Sequence, residues 1–271
     1  MTTALDSPVT TRDRVRQVTV LVGAAVAIAG AAVGSGAFGG QPVAEAAGGA
    51  LSATATPLAP DSPAFSIWSL IYLGLGVFAV AQALPRQGAD PRLRAVSWWV
   101  LASMLLNALW IAVVQADSVG GSVVVILALL AVLAVIFVRL VRMAHTGTAT
   151  SLITDTTVGL YLGWVSVATL ANTAAFLASA GVGELGLGAT AWSVIVLAAG
   201  ALLSVAYAVF GRSRPTVIVP IGLAMAWGLA WIGLGRTNGP LVDETVATAA
   251  FIAAAVALLS PIITTLTARR R

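Results

Sequence analysis

Cysteine and lysine are both missing from this 271-residue sequence, and histidine occurs once, at His145. Without cysteine there is no disulfide framework, no thiolate nucleophile and no cysteine metal site. A lone histidine cannot pair with a second to hold a metal. Charge is scarce too, at 9% of residues against about 25% in ordinary soluble domains. The 14 basic residues are all arginine, with a net charge of +4. They lie at the ends of apolar segments, which is the pattern of membrane topology and not of a nucleic-acid surface, so no nucleic-acid partner is expected.

What the chain has in excess is apolar: 59% hydrophobic residues and a mean hydropathy of +0.99. A water-soluble fold could not hide that much apolar surface, so the remaining faces must meet a lipid bilayer. In lipid, every backbone N–H and C=O has to be satisfied within helices or a closed barrel. Long unbroken apolar runs without period-2 alternation select helices. Counting about 20 apolar residues per span predicts helices near residues 17–37, 65–84, 96–115, 120–141, 156–178, 190–210, 216–234 and 246–266. The expected fold class is therefore all-α, a polytopic transmembrane bundle of about eight helices. Short connections predict that most consecutive helices are antiparallel neighbours.

Arginine sets the orientation. Arg12, Arg14 and Arg16 precede the first span, Arg86, Arg92 and Arg94 follow the second, and Arg139 and Arg142 end the fourth. Arg212 and Arg214 follow the sixth, and Arg269, Arg270 and Arg271 end the chain, leaving only Arg236 on the opposite side. Arginine-bearing loops stay cytoplasmic, so both termini of this multi-pass protein are expected inside; the expected location is a bacterial cell membrane. The first span also has the charge and apolar run of a signal peptide, but its length favours a retained helix. Residues 38–63 form a long Ala, Gly, Pro, Ser and Thr segment on the outer side without arginine, and loops of that length are functional or disordered.

Candidate chemistry is narrow. Membrane enzymes and ion-coupled transporters place ionisable groups inside their helices, and no such group stands near a predicted helix centre. Asp155 and Arg139 sit close to cytoplasmic ends, where snorkelling or solvent contact is expected. His145 reads as a solvated loop residue. The strings Gly34, Gly36, Gly39, Gly40 and Gly74, Gly76 do not lie between a strand and a helix, so they are not phosphate loops; they and the pair Gly159 and Gly163 read as packing or loop residues. Pro220 and Pro261 are expected to kink late helices. The enzyme class stays open but lacks an evident acid, base or nucleophile in the membrane interior.

Aromatic and amide side chains remain, and their spacing is informative. Trp68 and Tyr72 are four apart, Asn107 and Trp110 three apart, and Tyr161, Trp164, Ala168 and Asn172 follow one another by three or four, so each set lies along one helix face. At about 1.5 Å per residue, Trp68, Tyr72, Asn107, Trp110 and Asn172 share the outer half, with Tyr161 and Trp164 deeper. Spacing alone leaves two readings open: interhelical packing through hydrogen-bonded amides, or a pocket, mostly apolar with a few polar groups. Trp98, Trp99 and Trp192 near helix ends read as interface anchors.

On these residues the sequence resembles the TspO/MBR family, the tryptophan-rich sensory proteins and translocator proteins. Tyr161-Leu-Gly-Trp164-Val-Ser-Val-Ala168-Thr169-Leu-Ala-Asn172 looks like the family's fifth-helix pattern Y-x-x-W-x-x-x-A-T-x-x-N. Phe65-Ser-Ile-Trp68-Ser-Leu-Ile-Tyr72 with Gly76, and Leu106-Asn107-Ala-Leu-Trp110, resemble its second and third helices. The resemblance covers about residues 17–178. It divides the chain into a cytoplasmic segment 1–16, a TspO-like five-helix domain 17–178 with its outer loop 38–63, and a three-helix extension 179–271.

The resemblance implies a receptor or sensor that takes a flat hydrophobic ligand, a porphyrin or related tetrapyrrole, in a cavity of the first five helices. Trp68, Tyr72, Asn107, Trp110, Tyr161, Trp164, Ala168 and Asn172 would line or support it. No cofactor is required, and a bound tetrapyrrole would lack a histidine or cysteine axial ligand. A homodimer is compatible with it. The alternative is a small-molecule facilitator that uses the extra helices. Two departures from the family pattern bear on the ligand: residues 38–63 contain neither Trp nor a Lys-Pro element, and Trp110 is followed by Ile111 and Ala112 without the usual Pro.

Overall fold

The computed structural model of the chain describes residues 8–35, 41–144, 148–184, 186–238 and 240–268. Among these residues, eight helices are long and apolar enough to cross a membrane. They are α1 (Thr11–Gly34), α2 (Ile67–Ala83), α3 (Pro91–Gln115), α4 (Val119–Arg142), α5 (Ala149–Ser179), α6 (Ala189–Phe210), α7 (Pro215–Asn238) and α8 (Glu244–Ala268). The chain is thus the all-α polytopic bundle that its composition predicts. Gly36, Gly39, Gly40, His145, Arg269, Arg270 and Arg271 lie outside the described residues.

Several helices start earlier than apolar counting expects, because capped polar turns carry them past the hydrocarbon run. A capping box opens α1: the Thr10 hydroxyl accepts the Asp13 N–H at 3.3 Å and the Asp13 carboxylate accepts the Thr10 N–H at 2.9 Å. The Thr148 hydroxyl opens α5 by accepting the Ser151 N–H at 3.2 Å. Asp243 opens α8, accepting the Val246 N–H at 3.0 Å while its other oxygen accepts the Thr190 hydroxyl of α6 at 2.6 Å. The bond from Thr190 is the main cause holding the Asp243 carboxyl below its ordinary range. A carboxyl so depressed contributes stability above its unfolded value of about 3.9 and loses it only as pH falls through the lower folded value.

Helices α1 to α5 close into a ring in the order α1, α2, α5, α4, α3. The expectation that consecutive helices pack side by side therefore holds for α1 and α2, α3 and α4, and α4 and α5, but not for α2 and α3, which both pack on α1. The extension joins through α7, which lies against α5, while α8 packs on α7 and α6 on α8. Helix α5 is thus a wall shared by both halves. Its Gly159 and Gly163 make that possible: a methyl group at Gly159 would lie 2.5 Å from the Val217 carbonyl oxygen, and one at Gly163 would lie 2.4 Å from that of Ile221. Small residues let two backbones touch, and membrane helices associate through such van der Waals contact because lipid provides no hydrophobic drive between them.

One expectation at the arginine-bearing end is corrected. Asp155, read as near solvent, is fully buried; the Arg92 guanidinium of α3 pairs with its carboxylate, and the Thr216 hydroxyl of α7 donates to it at 2.6 Å. The capped early start of α5 places Asp155 in its second turn, facing the junction of α3, α5 and α7. Arg139 also turns inward, donating to the Ala95 carbonyl at 2.9 Å with its guanidinium 5.1 Å from the Trp99 ring centre.

Two substitutions test this framework by thermal unfolding in detergent. Gly163→Val should cost at least the roughly 1–3 kcal/mol of core overpacking, whereas Gly76→Val, at a glycine facing open space, should leave the midpoint nearly unchanged. Arg92→Leu should cost about 3 kcal/mol by removing the guanidinium partner of a buried carboxylate, against little for the exposed Arg86→Leu; equal midpoints for this pair would remove the ion pair from the structural account.

Candidate ligand cavity

The ring of five helices brings the predicted aromatic and amide residues into one cluster. Trp68 and Tyr72, one turn apart on α2, stack with ring centres 5.3 Å apart. The Trp68 ring also meets Tyr161 at 5.9 Å and Trp164 at 6.2 Å, both edge to face, and Trp164 meets Phe65 at 5.7 Å. Both residues expected deeper, Tyr161 and Trp164, therefore touch the Trp68 ring. Such offset and edge-on pairs are the favoured arrangements of aromatic quadrupoles.

Amides fix the rings in place. Asn107 of α3 donates to the Tyr72 hydroxyl at 2.8 Å. Asn172 of α5 accepts the Trp110 indole N–H at 2.9 Å and donates to the Ser122 hydroxyl of α4 at 2.9 Å. Both asparagines are buried. Each side-chain amide thus ties one helix of the ring to another, and Asn172 ties α3, α4 and α5 together. Tyr161 donates to the Ser103 carbonyl of α3 at 3.1 Å.

Two cavities adjoin the cluster. The outer one, about 330 Å³, is lined by Phe65, Trp68, Tyr72, Trp110 and Ile111 below and by Ser35, Pro42, Val43, Ala44 and Ser62 of the loop region above. The inner one, about 30 Å³, is bounded by Phe65, Trp68, Asn107, Trp110, Trp164 and Ala168, with Ile126, Leu129 and Val165. Phe65, Trp68 and Trp110 line both, so these three rings form the partition between them. The Trp164 indole N–H, beside the inner cavity, is buried without a hydrogen-bond partner. An unmet buried donor carries a penalty that an acceptor on a ligand would relieve.

Six of the eight predicted residues line a cavity: Trp68, Tyr72, Asn107, Trp110, Trp164 and Ala168. Tyr161 and Asn172 line neither and act from behind, through Trp68 and Trp110. The sequence reading did not single out Phe65, although it stands three residues before Trp68 on the same face. Ser122 and the loop residues Pro42, Val43 and Ala44 carried no signal, because a small hydroxyl or an Ala-Pro loop is ordinary anywhere. Ile111 lines the outer cavity at the position where the family pattern has Pro.

Replacing Asn172 by Leu should lower stability by about 1–3 kcal/mol, the cost of leaving the half-buried Trp110 N–H unpaired; an unchanged melting midpoint would show that the amide does not hold the ring.

No curated protein and no solved structure matches the chain. A family model described as TSPO-like protein matches residues 17–263, so the match takes in α6, α7 and most of α8, whereas the motif resemblance ends near residue 178. An eight-helix membrane chain with this match over most of its length belongs to the TSPO-like protein family.

Proposed function

We propose that the protein is a membrane receptor or sensor for a flat hydrophobic molecule, of the porphyrin or related tetrapyrrole class, bound between the first five helices and the outer loop. The observation that carries this reading is the continuous aromatic wall of Phe65, Trp68, Tyr72 and Trp110 facing an apolar cavity under a loop. Its volume, about 330 Å³, lies at the small end of the roughly 300–1,000 Å³ of ligand pockets. A macrocycle extending inward would displace one ring of the partition and bring an oxygen acceptor within reach of the Trp164 indole. Aromatic faces stack on such a ligand and the two asparagines keep them oriented.

The arginine end, with both termini, is assigned to the cytoplasm of a bacterial cell membrane, and the loop over the cavity to the outside, by the alternation of arginines along the chain. The facilitator reading, with the extra helices completing a path, has less support, because the α5 and α7 backbones touch at Gly159 and Gly163 where such a path would begin.

Titration of the detergent-purified protein with protoporphyrin, followed by tryptophan quenching, tests the site. Trp68→Ala and Asn172→Ala should each weaken binding about tenfold or more, the equivalent of about 1.4 kcal/mol. Unchanged affinity in both variants would move the ligand elsewhere.

A further inference from the structure

The extension has no place in a five-helix ligand cavity, yet the C-terminal half of α7 is bound to the loop that covers it. Trp227 and Trp231, four residues apart, share a side of the helix, and Arg236 lies five residues further on, in its last turn. The Trp227 indole donates to the Ala64 carbonyl at 2.9 Å, and the Trp231 carbonyl accepts the Asp61 N–H at 3.2 Å. Arg236 donates from one terminal nitrogen to the Thr56 carbonyl at 3.2 Å and from the other to the Ala53 carbonyl at 2.9 Å. Each contact is to the loop's main chain. The C-terminal half of α7 therefore grips the segment 53–64 without requiring particular loop side chains.

Arg236 is the anomaly of the arginine distribution, alone at the loop end, and it is 1% exposed. A guanidinium desolvated to that degree needs compensation, and its two terminal nitrogens find it in two carbonyls on one turn of chain, while its Nε is left without a partner. Asp61 of the loop and Asp243 of the α7–α8 turn supply neighbouring negative charge. The opposite half of the loop is anchored inside the five-helix ring. Gln115 of α3 donates to the Gly34 and Gln41 carbonyls, each at 2.8 Å, and the Asp117 carboxylate accepts the Ala47 N–H at 2.7 Å. The cover thus has one anchor on the ring and one on the extension. Its residue Ser62 and the adjoining Phe65, which line the outer cavity, lie in or next to the part that the extension holds.

We infer that α7 is a latch for the cavity cover, with Arg236 as its positioning residue, so that movement of the extension opens or shuts the route to the aromatic wall. This rests on the cavity being the ligand site, but the latch itself is measurable without ligand. Because the native chain contains no cysteine, a single introduced thiol reports local opening. Thr56→Cys places one in the clamped segment at a buried residue whose hydroxyl makes no hydrogen bond. Ser97→Cys places a second, in a separate variant, on α3 at another fully buried hydroxyl without a partner.

Modification by a small water-soluble maleimide should be slow at both positions. Arg236→Gln should speed it about tenfold or more at Thr56→Cys, the factor carried by one charge-assisted hydrogen bond, and leave Ser97→Cys protected. Trp227→Phe, which keeps the ring and removes the bond to Ala64, should speed the first position several-fold with the second again protected. The latch is overturned if Thr56→Cys stays slow in either background, or if both positions become reactive together, since that would make Arg236 a residue of global stability. Loss of protoporphyrin binding with intact latch behaviour would refute the ligand assignment alone.

Discussion

Contact between the α5 and α7 backbones is the constraint on which the remaining structure depends. In a bilayer, helices gain nothing by hiding apolar surface from lipid, so they associate where backbones approach closely and polar groups find partners. Gly159 and Gly163 permit that approach on one side of α5, while Tyr161, Trp164 and Asn172 point into the ring on the other sides. A single helix thereby serves as the floor of the cavity and as the mount for the extension. Once α7 is seated there, its C-terminal end falls beside the loop that covers the cavity, and Arg236 reaches the loop's carbonyls.

The two ends of the bundle solve the same electrostatic problem differently. At the arginine end, Arg92 and Asp155 neutralise each other, with Thr216 as an added donor from α7. Such a pair contributes modestly to net stability, since desolvating two ions offsets most of their attraction, but removing one partner is costly. It acts as a register pin for α3, α5 and α7. At the loop end, Arg236 is matched mainly by main-chain carbonyls, which are weaker partners than a carboxylate. The loop end is thus the more readily released of the two, which suits a cover and not a foundation.

Within the cavity, polar groups serve the aromatic ones. Asn107 and Asn172 present no functional groups of their own to the outer cavity; they hold Tyr72 and Trp110 at fixed angles. A flat apolar ligand offers few hydrogen bonds, so its recognition depends on ring faces already being oriented when it arrives. The three shared rings, Phe65, Trp68 and Trp110, are the exception, since they separate two cavities and none of them is fully buried.

The sequence by itself determined the number of membrane helices and the residues of the aromatic cluster. Both are one-dimensional signals: a span must be about 20 apolar residues long to cross lipid, and residues three or four apart must share a helix face. It also marked Gly159 and Gly163 as an interface and Arg236 as an outlier. Only the tertiary structure decided what those residues meet. The ring order α1, α2, α5, α4, α3, the pairing of Arg92 with Asp155, the bond of Asn172 to Ser122 and the grip of Arg236 on the loop all join residues from separate helices. Helix periodicity specifies a face but not its partner, and a main-chain carbonyl, which every residue has, leaves no trace in the sequence of the loop that offers it.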